Sequence, residues 1–218
     1  MGSLTLPRVT SQASCKLAVL GVCERIAAAG LLLAASPLVA GAALVLFLLS
    51  GRSPLIAHRR VGRRGDTLWM LKLRTMWDGR GGPGPRFIWI EYVEDTCGPE
   101  LKHPADRRVT SRFARFCRRH SIDELPQLWH VITGEMSLVG PHPITQRELD
   151  RFYGPVAQEI LQAKPGIVGL WQVSGRNHLS YAERRDLDLQ LVRRRSAKLY
   201  LRILLQTVPK VWSGAGSW

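Results

Sequence analysis

Acidic residues are scarce in this chain: among 218 residues, 17 Asp and Glu stand against 31 Lys and Arg, a formal net charge of +14. A partner of positive charge is disfavoured, and an anionic one is expected: nucleic acid, a phospholipid surface or a phosphorylated small molecule. Cysteine is scarce too. Cys15, Cys23, Cys97 and Cys117 are too few and too scattered for a disulfide framework, and no CxxC spacing suggests zinc, so a reducing compartment fits. Charge is missing altogether from Ile26 to Leu49, "IAAAGLLLAASPLVAGAALVLFLL". About 20 apolar residues suffice to cross a bilayer, so this run is a membrane segment. It is too long for the apolar core of a secretory signal, and a basic stretch follows it. The length suits one domain with a good-sized core.

Ser36 and Pro37 interrupt the run at its middle. Proline removes a backbone donor and crowds the preceding turn, so the helix either crosses with a kink or turns back with both ends on one face. Lys16 and Arg25 precede the run, while Arg52, Arg59, Arg60, Arg63 and Arg64 follow it. The denser downstream cluster makes that side cytoplasmic by the positive-inside rule. The pattern leaves kink and return both open.

Beyond the run, Trp69, Leu71 and Leu73 alternate with Met70, Lys72 and Arg74, which predicts a strand with two cations on one face. Residues 78–104 are rich in Gly and Pro at both ends and read as a long loop holding an aromatic patch, Phe87, Trp89 and Tyr92. "DRRVTSRFARFCRRHS" places Val109, Phe113, Phe116 and Cys117 at helical spacing among five arginines, a basic amphipathic helix ending near His120. A polar helix is expected from about Ile144 to Ala163, and a short apolar strand in "KPGIVGLWQVSGRN", with Lys164 and Arg176 near its ends. The leucine-rich basic segment at the C-terminus suits either a headgroup layer or a core helix with a charged outer face.

"SIDELPQLW", residues 121–129, sets Asp123 beside Glu124. Ser121 and Glu124 match an S-x-x-E capping box. That reading puts Pro126 at the fifth helical position, where a backbone donor is needed. A start nearer Asp123 tolerates Pro126 in the first turn and places Asp123 at the positive end of a helix running to about Thr133, with Gly134 as its stop. Asp123 is then expected to be held deprotonated.

Taken in order, "RVGRRGDTLWMLKLRTM", "DRRVTSRFARFCRRHSIDELPQLWHVITGEMSLVGPHP" and "KPGIVGLWQVSGRN" resemble the bacterial sugar transferases, the monotopic phosphoglycosyl transferases, of the exopolysaccharide-initiating type. The resemblance runs from about residue 22 to 212. It implies an α+β fold: a tail over 1–16, a re-entrant membrane helix over 17–50 broken at Ser36 and Pro37, a compact, mainly helical catalytic domain with a small sheet and interfacial amphipathic helices over 51–212, and a tail over 213–218. It implies transfer of a sugar 1-phosphate from a UDP-sugar to undecaprenyl phosphate with release of UMP, at the cytoplasmic face of the bacterial inner membrane. Asp123 matches the family's nucleophile and Glu124 its partner, both associated with Mg²⁺. Arg118, Arg176, Lys72 and Arg74 match phosphate-binding positions.

This chemistry agrees with the charge. A lipid phosphate attacking a diphosphate brings two anions together, and arginine forks with Mg²⁺ offset their repulsion. A carboxylate nucleophile splits the transfer in two, so both anionic substrates need not occupy the site at once. The chain departs from the family at His142, where relatives carry an arginine, at "DRRVT", where relatives read "DPRVT", and at Tyr200, aligned with an aspartate. His142 remains a phosphate-contact candidate that titrates near neutrality. Anionic phospholipid is an expected partner, nucleic acid is not, and a homodimer is left open. A membrane glycosyltransferase releasing UDP is the rival enzyme, and a basic nucleic-acid binder, lacking any reader motif, the rival of another class.

Overall fold

The computed structural model describes residues 11–77, 89–94, 109, 111–175 and 178–214. Its first element is α1 (Ser11–Ser50), a single helix that runs through Pro37. Pro37 cannot donate to the carbonyl of Leu33, four residues back. Ser36 Oγ donates to that same oxygen at 2.8 Å, so the orphaned acceptor is met from within the helix. Leu31, Leu33, Leu38, Leu44 and Leu48 are all exposed, and within Val19–Ser50 the helix is long and apolar enough to cross a membrane.

The buried side of α1 touches the folded domain on both sides of Pro37. Before it, Ala28 and Leu32 pack with Leu68, Met70, Leu128, Val131 and Met136. After it, Val39, Ala42 and Leu46 pack with Leu73, Trp77, Ala114, Cys117 and Ile122. Glu24 ties the early end down, accepting hydrogen bonds from Ser137 Oγ, Leu138 N and Tyr200 Oη.

A three-stranded sheet follows, in which β1 (Leu55–Val61) pairs antiparallel with β2 (Thr67–Leu73) and parallel with β3 (Ile90–Val93). The tight turn between β1 and β2 takes left-handed conformations at Arg64 and Gly65. Leu68, Met70 and Lys72 share one face of β2; Leu68 and Met70 are buried in the core with Ala28 of α1, and Lys72 turns to Glu124. Arg74 lies past the strand's end, so the expected pair of cations on one strand face is reduced to Lys72 alone. β3 lies inside the expected loop, and Tyr92 meets Trp69 edge-on at 5.0 Å; Phe87 falls outside the described residues.

Ser111 caps α2 (Arg112–Arg119), the predicted basic helix, by accepting from Ala114 N. Next come a 3-10 helix (Ile122–Gln127), α3 (Leu128–Thr133) and its left-handed stop at Gly134. β4 (Ser137–Val139) pairs in parallel with β5 (Gly166–Val168). Gly140 and Gly166 meet backbone to backbone at this pairing, so a Cβ at either would strike main-chain atoms. Close approach explains the glycines of "LVGP" and "KPGI" without any ligand.

Between those strands, one continuous helix from Ile144 was expected, and the chain instead breaks into short pieces. A capping box joins Thr145 and Glu148 at the start of α4 (Gln146–Glu148), and α5 (Ala157–Ile160) follows irregular turns. Gly154, at φ 45°, and Pro155 interrupt the helical path. α6 (Leu170–Ser174), α7 (Tyr181–Arg193) and α8 (Ala197–Ser213) complete the fold.

Candidate active site

Asp123 stands in the first turn of the 3-10 helix and is only 6% exposed. Ser121, at φ 54°, is left-handed and makes no side-chain cap, so the S-x-x-E match is no capping box. Pro126 is accommodated because it precedes the α-helix proper, which begins only at Leu128, so no i→i−4 donor is asked of it. Neighbouring Ile122 packs with Cys117, Ala114 and Leu46 of α1. Cys117 is fully buried and its thiol is pushed up to about 11, by burial first and then by Asp123, so it is an inert wall of the site.

Asp123 remains mostly ionised at neutral pH, but its carboxyl is raised rather than held low by a helix start. Burial raises its carboxyl to about 6, Glu124 adds to the rise, and Lys72, Arg118 and the backbone N–H of Asp123 itself oppose it.

Three of the expected residues gather around Asp123. Lys72 Nζ on β2 pairs with Glu124 Oε1 at 2.9 Å, with both side chains partly open to solvent. Arg118 reaches in from the last turn of α2, with Nη1 3.4 Å from Thr75 Oγ1. Thr75 is buried and was not singled out from the sequence, although it follows Arg74 directly in "KLRTM". His130 steadies the arrangement: its Nε2 accepts from Leu71 N at 3.1 Å, which leaves Nδ1 to donate to Glu135 at 2.7 Å. This locks β2, one residue from Lys72, onto α3.

The remaining expected residues lie elsewhere. Arg74 is 6% exposed; Nε donates to Ser53 O at 2.8 Å and Nη2 meets Glu91 Oε2 at 2.5 Å, so its guanidinium ties β3 to the entry of β1. Tertiary pairing with Glu91 had no signal in the sequence. His142 sits after β4 with its ring edge-on to Trp171 at 5.1 Å, and its backbone N–H supports the buried carboxyl of Asp188. Asp188 also accepts from Tyr153 Oη at 3.2 Å, and burial raises it to about 8. Arg176 lies outside the described residues, as do Asp106 and Arg108.

Whether the site suits a divalent cation follows from its donors. Among the described residues no group of three or more His, Cys, Asp or Glu converges. Mg²⁺ needs fewer, since it binds through one or two carboxylates and completes its shell with water and substrate phosphates. Two adjacent carboxylates, one of them raised by the other's charge, fit that pattern.

The model of the bacterial sugar transferase family matches residues 16–214, and the chain belongs to that family. Curated relatives include the "UDP-galactose-lipid carrier transferase" of Erwinia amylovora, 39% identical over 186 residues, 80% of this chain and 37% of the relative. "Exopolysaccharide production protein ExoY" of Rhizobium meliloti (strain 1021) is 40% identical over 171 residues, 77% of this chain and 74% of the relative. The "UDP-glucose:undecaprenyl-phosphate glucose-1-phosphate transferase" of Caulobacter vibrioides is 36% identical over 197 residues, 87% of this chain and 68% of the relative. The chain thus spans little more than a third of the Erwinia protein but about three quarters of the ExoY protein.

Proposed function

We propose that the protein transfers a sugar 1-phosphate from a UDP-sugar to undecaprenyl phosphate, as the first membrane step of exopolysaccharide or related glycoconjugate synthesis. The observation that carries this reading is Asp123: a buried carboxylate flanked by Glu124, Lys72 and Arg118, in a chain whose relatives bear the names above.

In the first step, an Asp123 carboxylate oxygen attacks the phosphorus that carries the sugar. An O–P bond forms to Asp123, the bond from that phosphorus to the bridging oxygen breaks, and its electron pair leaves with UMP. In the second, an oxygen of undecaprenyl phosphate attacks the same phosphorus, the aspartyl bond breaks, and the carboxylate is regenerated. Partial burial strengthens the attraction of Lys72 and Arg118 for the transferring phosphoryl group. Glu124, held by Lys72, keeps a second carboxylate ready for a cation or a proton. When bound by Asp123 and Glu124, Mg²⁺ would supply positive charge to the diphosphate.

The membrane reading places the catalytic domain on the cytoplasmic face and α1 as a re-entrant anchor. Its support is the contact of one folded body with α1 at Glu24 and Ala28 as well as at Ala42 and Leu46. A helix crossing the bilayer would draw that body into the hydrocarbon with it. Exposed Phe116, Trp129, Leu201, Leu205, Val208 and Trp212 supply further apolar surface for an interfacial layer.

The reaction is tested by incubating purified protein with undecaprenyl phosphate, Mg²⁺ and a panel of UDP-sugars. UMP release with one or more donors is expected; UDP as the sole nucleotide product overturns the reading in favour of a glycosyltransferase. Exchange of labelled UMP into the UDP-sugar without lipid acceptor, lost in Asp123→Asn, separately tests the aspartyl phosphosugar.

A further inference from the structure

At the early end of α1, where charge gives way to the apolar run, a second cationic corner has no part in the chemistry above. Glu24 Oε1 accepts there from Ser137 Oγ, Leu138 N and Tyr200 Oη, which seats the helix against β4 and α8. Four cations gather near it. The guanidinium of Arg25 covers Gly134, where an added Cβ would collide with it. Arg63 Nε donates to Gln162 O at 2.9 Å. Lys164 lies within electrostatic reach of Arg25, Arg63 and Arg195. Against these four, Glu24 is the one carboxylate among the described residues that acts on Lys164, whose ammonium is lowered by burial first and then by Arg25 and Arg63. Among the described residues, neither Lys164 nor Arg195 has a carboxylate or hydrogen-bond acceptor of its own.

An apolar cleft adjoins this corner, lined by Leu20, Pro141, Ala163, Leu199 and Tyr200, with Arg195 among its walls. Val19, Val22 and Ile26 continue the apolar surface outward along α1 and are 58%, 56% and 69% exposed. Apolar wall and excess positive charge meet at the level where a membrane helix enters the headgroup layer, and this calls for an anionic amphiphile. We propose that the corner binds an anionic membrane phospholipid, its phosphate held by Lys164, Arg195 and Arg25 and its acyl chains lying beside Leu20, Val22 and Ile26. The acceptor lipid is a poorer match, because its phosphate must reach Asp123, whose neighbour Ile122 packs with Ala42 and Leu46 toward the other end of α1. The inference rests on the membrane-anchoring reading of α1.

The test compares full-length wild type with Arg25→Gln/Lys164→Gln/Arg195→Gln, by native mass spectrometry in mild detergent and by binding to vesicles. The lipids are phosphatidylglycerol and phosphatidylcholine. Wild type is expected to retain one phosphatidylglycerol, and the triple variant to bind it on the order of a hundredfold more weakly, at about fivefold for each cation lost near an anionic headgroup. Partition into phosphatidylcholine and UMP release in detergent should not change, and Lys164→Arg should keep the lipid. Equal retention by the triple variant overturns the site. So does an equal loss in Arg59→Gln/Arg60→Gln/Arg185→Gln, which would mean bulk charge alone, or displacement of the retained lipid by equimolar undecaprenyl phosphate. Failure of wild type to enter phosphatidylcholine vesicles at all would instead sink the anchoring reading.

Discussion

Lys72 Nζ lies 2.9 Å from Glu124 Oε1, joining the C-terminal end of β2 to the 3-10 helix across 52 residues of chain. Next to the pair, Asp123 is subject to the repulsion of Glu124 and the attraction of Lys72. One ammonium thus orients the second carboxylate and moderates the first.

Replacing Lys72 with Gln removes that moderation. The carboxyl of Asp123 should rise further, so the rising limb of the pH profile for UMP release should move to higher pH, with kcat reduced at neutrality by 10-fold or more. A pH–rate profile for both proteins measures it. An unshifted limb would mean that Lys72 contacts only substrate.

Asp123 itself should trade stability for function. Its folded carboxyl ionises near pH 6 against an ordinary 3.8, so the folded form keeps a proton that the unfolded chain loses between those values. Stability therefore falls as pH rises through that window and stays reduced above it. Asp123→Asn lifts the penalty and should be more stable than wild type at pH 7.5, by roughly 1 to 3 kcal/mol, while losing activity. Thermal unfolding in detergent should show the gap closing toward pH 4.

Arg74 offers a choice between structure and substrate. If its guanidinium serves Ser53 and Glu91, Arg74→Lys should lower Tm by several degrees and leave KM for the UDP-sugar within about twofold. A raised KM at unchanged Tm would return it to the phosphate.

Pro37→Ala restores the backbone donor that Leu33 O lacks and should favour an uninterrupted crossing. Cys23, exposed at the start of the run, is a native reporter. With the other cysteines changed to Ser, a membrane-impermeant maleimide should reach Cys23 from the cytoplasmic side in the parent and from the opposite side in Pro37→Ala. Identical labelling would show that packing of α1 on the domain outweighs the proline.

Tyr200 fills the place of the expected aspartate by donating to Glu24 at 2.5 Å. Tyr200→Phe should cost roughly 1.5 to 3 kcal/mol, as a hydrogen bond to a carboxylate is lost, with UMP release unchanged. Calorimetry in detergent reads the first and the nucleotide assay the second.

Local pattern was enough for much of this molecule. The apolar run with Ser36 and Pro37, the basic α2, the stop at Gly134 and the pairing of Asp123 with Glu124 are all legible within a few residues of sequence, because helix periodicity, proline sterics and glycine's left-handed freedom act over such distances. Burial acts over longer ones. That Asp123 is raised rather than lowered, that Arg74 belongs to Glu91 and Lys72 to Glu124, and that Tyr200 answers Glu24 across 176 residues all depend on which surfaces exclude water together. Desolvation and long-range pairing are properties of the packed chain, so the tertiary structure alone decided them.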